Sequence, residues 1–158
     1  KAPICYLGDG NNIVHSWLNF ASRVPIKFTI GTTETTLPDM ELVQYSKQQD
    51  ISDVRVINDP VEAVRGAKIL YTDVWASMGE KEKADERRKL LMPYQINSHI
   101  LSKAASGAKI MHCLPAERGW EITSEMLDGP QSIVLDQAEN RLHAQKAILL
   151  MLDRWFRS

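Results

Sequence analysis

Six short apolar runs punctuate the chain: Ile4–Leu7, Ile26–Ile30, Val54–Ile57, Lys68–Thr72, Lys109–His112 and Ser132–Leu135. Runs of this length between polar and turn-forming stretches predict short strands. Between them the period changes. Residues Asn11 to Ala21 place Ile13, Val14, Trp17, Leu18 and Ala21 on one helical face, and Asp39 to Gln49 repeats the pattern with Met40, Val43 and Tyr45. The tetrad Asp59-Pro60-Val61-Glu62 is a helix start: Asp caps, Pro occupies the first helical position, and Glu62 reaches back to the cap amide. Residues Ala138 to Phe156 predict a long final helix, and the charge run "GEKEKADERRKLL" reads as the solvated face of a helix or loop. Strand-helix alternation with short connections predicts an α/β fold: a doubly wound, mainly parallel, Rossmann-like sheet with helices on both faces, in a single domain.

That architecture says where to look for chemistry, because ligands of open α/β sheets bind beyond the carboxyl ends of the strands. Four segments should share this rim: "GDGNN" (8–12), "DVWASMGE" (73–80), "HCLPAERG" (112–119) and "DQAENR" (136–141). The first invites a dinucleotide reading, but Ile13 stands where the third glycine belongs and no acidic residue ends the second strand. A tight turn into an Asn-capped helix explains the glycines. One Asn suffices as a cap, and the second would offer an amide to a carboxylate at the positive helix end. In the second segment, Asp73 is either an ordinary strand-end cap or a carboxylate drawn partly out of water. Trp75 and Met78 flank Ser77 and Gly79, which suggests a loop from Trp75 to about Lys89 that is mobile until substrate orders it.

The Cys in "HCLP" has four readings: metal ligand, nucleophile, half of a disulfide, or a small buried residue at a strand end. A closed metal site needs four ligands, and His15, His99 and His143 are scattered with no CxxC or HxxxH spacing. Covalent catalysis needs a base, yet His112 and Cys113 are strand neighbours whose side chains face opposite ways. The second Cys, Cys5, is far away in sequence, and two cysteines make no disulfide framework. A buried, reduced thiol is the plain alternative.

Composition narrows the classes. The 158 residues carry 19 Lys+Arg against 20 Asp+Glu, so no general electrostatic grip on nucleic acid is expected. The longest apolar run, Ala147 to Leu152, is too short to span a bilayer, which excludes a membrane role. The opening "KAPICYLGDG" has no signal-peptide core and no starting Met, so the expectation is a processed or excised piece of a cytoplasmic protein.

Together "GDGNN", "DVWASMGE", "HCLPAERG" and "AENRLHAQKA" (138–147) resemble the ornithine carbamoyltransferase family in composition and order, over essentially the whole chain. Only the family's second half is matched, since its phosphate-binding Ser-Thr-Arg-Thr segment has no counterpart here. The stretch "GTTETTLPD" (31–39) departs from the family's usual loop, and "ERGW" varies from several relatives. The resemblance implies carbamoyl transfer from carbamoyl phosphate to the side-chain amine of L-ornithine, giving citrulline and phosphate, with no metal or organic cofactor. It implies that Asn12, Asp73, Ser77 and Met78 bind the ornithine head group: Asp73 the α-ammonium, Asn12 and the Met78 backbone the α-carboxylate. Cys113 would lie beside the side-chain amine and help deprotonate it. Leu114 would offer its backbone to the carbamoyl group, and Arg141 would stabilise the carbonyl oxygen, with Cys113, Leu114 and Arg141 completing the carbamoyl-phosphate contacts. His112 would serve orientation or packing. The complete enzyme would be a homotrimer built through its first domain, leaving this chain monomeric. Two other classes compete: a noncatalytic amino-acid-binding or regulatory module on the same fold, and a nucleotide-dependent oxidoreductase domain.

Overall fold

The computed structural model describes residues 2–75 and 81–157, with the side chains of 81–84 excepted. Five parallel strands, β1 (Pro3–Leu7), β2 (Lys27–Gly31), β3 (Asp53–Ile57), β4 (Ile69–Thr72) and β5 (Lys109–His112), pair in the order β3-β2-β1-β4-β5. The order reverses beside β1, so the carboxyl ends of β1 and β4 flank the switch point where such sheets bind ligands.

Strand alternation splits the core into two layers. On one face Ile4, Tyr6, Phe28, Ile30, Val54 and Tyr71 meet Val14, Leu18 and Ala21 of α1 (Asn12–Ala21) and Val43 of α2 (Met40–Gln48). On the other, Cys5, Leu7, Leu70 and Ile110 meet Ala63 of α3 (Pro60–Ala63), Leu91 of α4 (Lys81–Leu91), Ile100 of α5 (Ser98–Lys103) and Met126 and Leu127 of α6 (Ser124–Asp128). The doubly wound, Rossmann-like expectation therefore holds. Helix starts follow their caps: Asn11, Asp39, Asp59, Asn97 and Thr123 each accept backbone N–H groups of the first turn.

One expectation needs correction. Ser132–Leu135 is not a strand. Ser132 makes a single parallel bridge to Ile110, and by Val134 the chain is already in α7 (Val134–Arg157). An apolar run as short as Ile133-Val134-Leu135 carries no period that separates strand from helix. Of the loop expected from Trp75 to about Lys89, residues 76–80 lie outside the described residues, and Trp75 at its start is a core residue. It is 1% exposed and packs in the core, and Lys81–Leu91 is a helix. Arg87 of α4 reaches Asp9 at 2.7 Å and Arg88 reaches Glu117 at 2.6 Å, so the helix is tied to both neighbouring rim loops.

The rim turn after β1 depends on glycine. Gly10 donates to Thr36 O at 2.8 Å, and a Cβ there would lie 2.2 Å from Pro38 N. Backbone cannot yield as a flexible side chain does. Gly10→Ala is expected to destabilise the chain by about 3 kcal/mol, the upper end of overpacking costs. Urea unfolding measures this, and an unchanged midpoint would show the approach to be looser than described.

Helix α7 is about 36 Å long at the standard rise, yet of its described residues only Val134 is buried. Leu142, Leu149, Leu150, Met151, Trp155 and Phe156 are exposed, with Trp155 stacked on Phe156.

Candidate functional site

The reversal of strand order brings three loop segments together at one point. Asp73 follows β4, Cys113 follows β5, and Asn11 caps α1 after β1. Cys113 Sγ donates to Asp73 Oδ1 at 2.7 Å. Val74 N donates to the same oxygen at 2.8 Å, and Asn11 Nδ2 donates to Oδ2 at 3.0 Å. Asp73 thus collects a donor from each neighbouring segment. An ionised carboxylate offers about four acceptor positions, of which bonds from the described residues use three, two on Oδ1 and one on Oδ2.

Pairing β4 with β5 opposes Thr72 to His112, so the next residues, Asp73 and Cys113, are adjacent beyond the sheet. Alternation sends Cys113 to the face of Tyr6 and Tyr71, while His112 turns to the other side and meets Glu121 at 3.0 Å. The opposite-face expectation holds: no Cys-His pair forms. Cys113 is half-buried. Burial first, then the hydrogen bond to Asp73 and its charge, push the thiol from an ordinary 9.0 up to about 12. The structure therefore shows a neutral thiol donating to a carboxylate.

The thiol state has a direct readout. At pH 8, a thiol pushed up to about 12 is roughly one part in ten thousand thiolate, against about one in ten for the ordinary value of 9.0. Iodoacetamide should modify Cys113 on the order of 1,000-fold more slowly than a free peptide thiol, and Asp73→Asn should speed the reaction by removing the charge that raises it. Mass spectrometry separates Cys113 from Cys5, which is fully buried in the core. Wild-type alkylation at the free-thiol rate would contradict the Asp73–Cys113 contact.

The surrounding groups are as strongly organised. Burial pushes the Tyr6 hydroxyl up, and the charges of Asp73 and Asp9 add to this; the hydroxyl has no partner among the described residues. Tyr71 is likewise pushed up, by burial first and then by neighbouring Cys113. Gln137, one turn into α7, accepts from His112 N at 3.0 Å and reaches Tyr71 Oη at 3.5 Å. This places the "DQAENR" segment on the same rim as the other three. Arg141, four residues further, lies on the same face of α7 one turn beyond. It is exposed and makes no hydrogen bond or ion pair among the described residues.

Asn12 is the first residue of α1 and is exposed, beside rather than within the Asp73 cluster. Ser77 and Met78 lie outside the described residues. Leu114 is half-exposed with φ +54°, and its amide donates to His112 Nδ1 at 2.9 Å. Sequence reasoning missed Asn11 as a cross-link, and also Tyr71, Gln137 and Glu121. The paired Asn11-Asn12 was a usable signal for the first; the others carry no local pattern. Among the described residues no group of three or more His, Cys, Asp or Glu could hold a metal ion, and no helix is long and apolar enough to cross a membrane.

The family described as aspartate/ornithine carbamoyltransferase, Asp/Orn binding domain, matches residues 1–152. Ornithine carbamoyltransferase from Syntrophus aciditrophicus is 50% identical over 152 residues, covering 96% of this chain and 50% of that protein. The chloroplastic ornithine carbamoyltransferase of Pisum sativum is 50% identical over 147 residues, covering 93% of this chain and 39% of its own length. Among solved structures, ornithine carbamoyltransferase from Pyrococcus furiosus superposes with a TM-score of 0.88 at 42% identity, over 94% of this chain and 48% of that one. The anabolic enzyme from Campylobacter jejuni gives 0.89 at 29% identity, over 97% and 52%. The chain spans about half the length of the curated relatives it matches. With the family match running through the whole strand-end cluster, the chain belongs to the aspartate/ornithine carbamoyltransferase family, as its amino-acid-binding domain.

Proposed function

We propose that this chain is the ornithine-binding half of an ornithine carbamoyltransferase, and that a separate domain outside these 158 residues holds carbamoyl phosphate. The observation that carries this reading is the Asp73 carboxylate: half-buried, gripped by Cys113, Val74 and Asn11, with one acceptor position on Oδ2 left over among the described residues. An α-ammonium fits that position as a charged donor. The helix end at Asn12, with its positive dipole, suits the α-carboxylate, and Ser77 and Met78 would complete the head-group contacts. Ornithine is named by nearby relatives of this chain, and the match to them includes the strand-end segments.

The chemical difficulty is a proton. A primary alkylammonium has a pKa of about 10.4, so near pH 7.5 only about one in a thousand is the neutral nucleophile, a handicap of roughly 4 kcal/mol. In the proposed reaction the neutral amine adds to the carbamoyl carbon, the carbon–oxygen bond to phosphate breaks, and the amine gives up a proton. Cys113 would accept an amine N–H on its sulfur while its own S–H donates to Asp73; as the amine's proton passes to sulfur, the thiol's proton passes to the Asp73 carboxylate. A bound ammonium would also lower the thiol's pKa, since a neighbouring positive charge favours thiolate. Arg141 would reach the carbonyl oxygen as charge develops there, and the Leu114 backbone would take a bond from the carbamoyl amide.

The test joins this chain to a carbamoyl-phosphate domain and measures citrulline. Wild type should form it, and Cys113→Ala should cut turnover more than about ten-fold through lost positioning. Thermal stability should fall by only about 1–2 kcal/mol, the cost of a small cavity. Ornithine binding without any citrulline would instead establish a noncatalytic amino-acid-binding module. Full turnover in Cys113→Ala would remove the role assigned to the thiol.

A further inference from the structure

The segment after β5 holds a second buried device that the proposed chemistry does not use. Glu121 is fully buried, and so is the imidazole of His112. Glu121 Oε1 pairs with His112 Nε2 at 3.0 Å and accepts from Glu117 N at 2.6 Å. The opposite ring nitrogen, Nδ1, accepts from Leu114 N at 2.9 Å. A nitrogen that accepts a backbone N–H carries no proton itself, so Nε2 carries the hydrogen and gives it to Glu121. Gln137 fixes the His112 backbone from the other side by accepting its N–H at 3.0 Å. The imidazole is therefore held at both ring nitrogens, and neither is free to exchange a proton with Cys113, which points away.

What the lock holds is Leu114. Its φ of +54° lies in the left-handed region, which costs a branched residue about 1–2 kcal/mol and persists only where the surroundings enforce it. We infer that Glu121 and His112 are positioning residues that hold the Leu114 peptide in this left-handed conformation through the Leu114 N–H to Nδ1 bond, and so aim the Leu114 backbone acceptor at the carbamoyl group. This rests on the carbamoyl-transfer reading. It adds that two fully buried polar side chains near the site act on the backbone, with no part in moving the reaction's proton.

Side-chain geometry supplies the test. In His112→Asn the amide oxygen falls near Nδ1 and keeps the bond to Leu114 N. In His112→Gln the amide falls near Nε2, keeps Glu121 company, and leaves Leu114 N without its acceptor. Glu121→Gln retains an oxygen for both His112 and Glu117 N, removes the charge, and puts an NH2 where Oε2 has no partner among the described residues. In the complete enzyme, His112→Gln should lose about 100-fold in kcat, the scale set by a misplacement of about 1 Å, with the KM for ornithine little changed. His112→Asn should retain most of the wild-type kcat, and Glu121→Gln should leave the pH profile of kcat in place. Equal losses in the two His112 variants, or a pH profile displaced by Glu121→Gln, would overturn the positioning role in favour of proton transfer. If neither His112 variant folds, amide hydrogen exchange at Leu114 in the wild-type chain decides: strong protection supports the lock, and exchange at the rate of a solvated loop amide refutes it. Wild-type enzyme that forms no citrulline would sink the proposed function. Active wild type with indistinguishable His112 variants would sink this inference alone.

Discussion

The isolated 158-residue chain will form no measurable citrulline from ornithine and carbamoyl phosphate, and adding a carbamoyl-phosphate domain will restore the reaction. The argument is a count of cationic donors. Carbamoyl phosphate is a dianion near neutral pH and calls for several charged donors or an open helix N-terminus. On the rim, Arg87 is committed to Asp9, Arg88 to Glu117 and Arg118 to Asp128. The rim motifs then leave Arg141 for the ligand. Without a held phosphate the reactants are not brought together, and the proximity contribution, about 7–11 kcal/mol in good cases, is lost. A coupled assay on the purified chain, with and without the added domain, measures the difference. Transfer by the chain alone at the level of the joined enzyme would contradict it.

The second large effect falls on Asp73. In the joined enzyme Asp73→Asn should weaken ornithine by about 2–5 kcal/mol, the range for breaking a desolvated charge pair, while carbamoyl phosphate binding stays nearly unchanged. Asn can still accept from Cys113 and Val74 through Oδ1, while its NH2 replaces the oxygen that accepts from Asn11, so the loss reports the charge together with that acceptor. Calorimetry with each ligand separately makes the comparison. Equal weakening of both would mean that Asp73 supports the rim as a whole rather than the amine.

Most of the sheet was legible because its cause is local. The strands at 4–7, 54–57 and 109–112 are bounded by turn residues, and alternation alone sends His112 and Cys113 to opposite faces, as observed. Asp73 and Cys113 become neighbours once β4 and β5 pair. The failures also have local causes. Ile133-Val134-Leu135 is apolar but too short to show a period, and it enters α7. Trp75 lies among polar residues in sequence, yet the Gly8 backbone leaves room for its indole, whose Nε1 would lie 2.7 Å from a Cβ at Gly8. Helices α5 and α6 are too short to leave a periodic mark, although their caps, Asn97 and Thr123, are ordinary ones. At the site, Glu121, Gln137 and Tyr71 were invisible for a different reason: each matters through side-chain hydrogen bonds, and such bonds have no signature along the chain.

The central claim, that the strand-end cluster receives the amino-acid head group of ornithine, is tested most directly on the chain as it is. Titrating the 15N-labelled chain with L-ornithine and following backbone amides should shift Asn12 and Val74 strongly, with Cys113 and Leu114 following. Asp73→Asn should abolish these shifts at the same concentrations. Shifts confined to other parts of the surface, or an unaltered response in Asp73→Asn, would contradict the account.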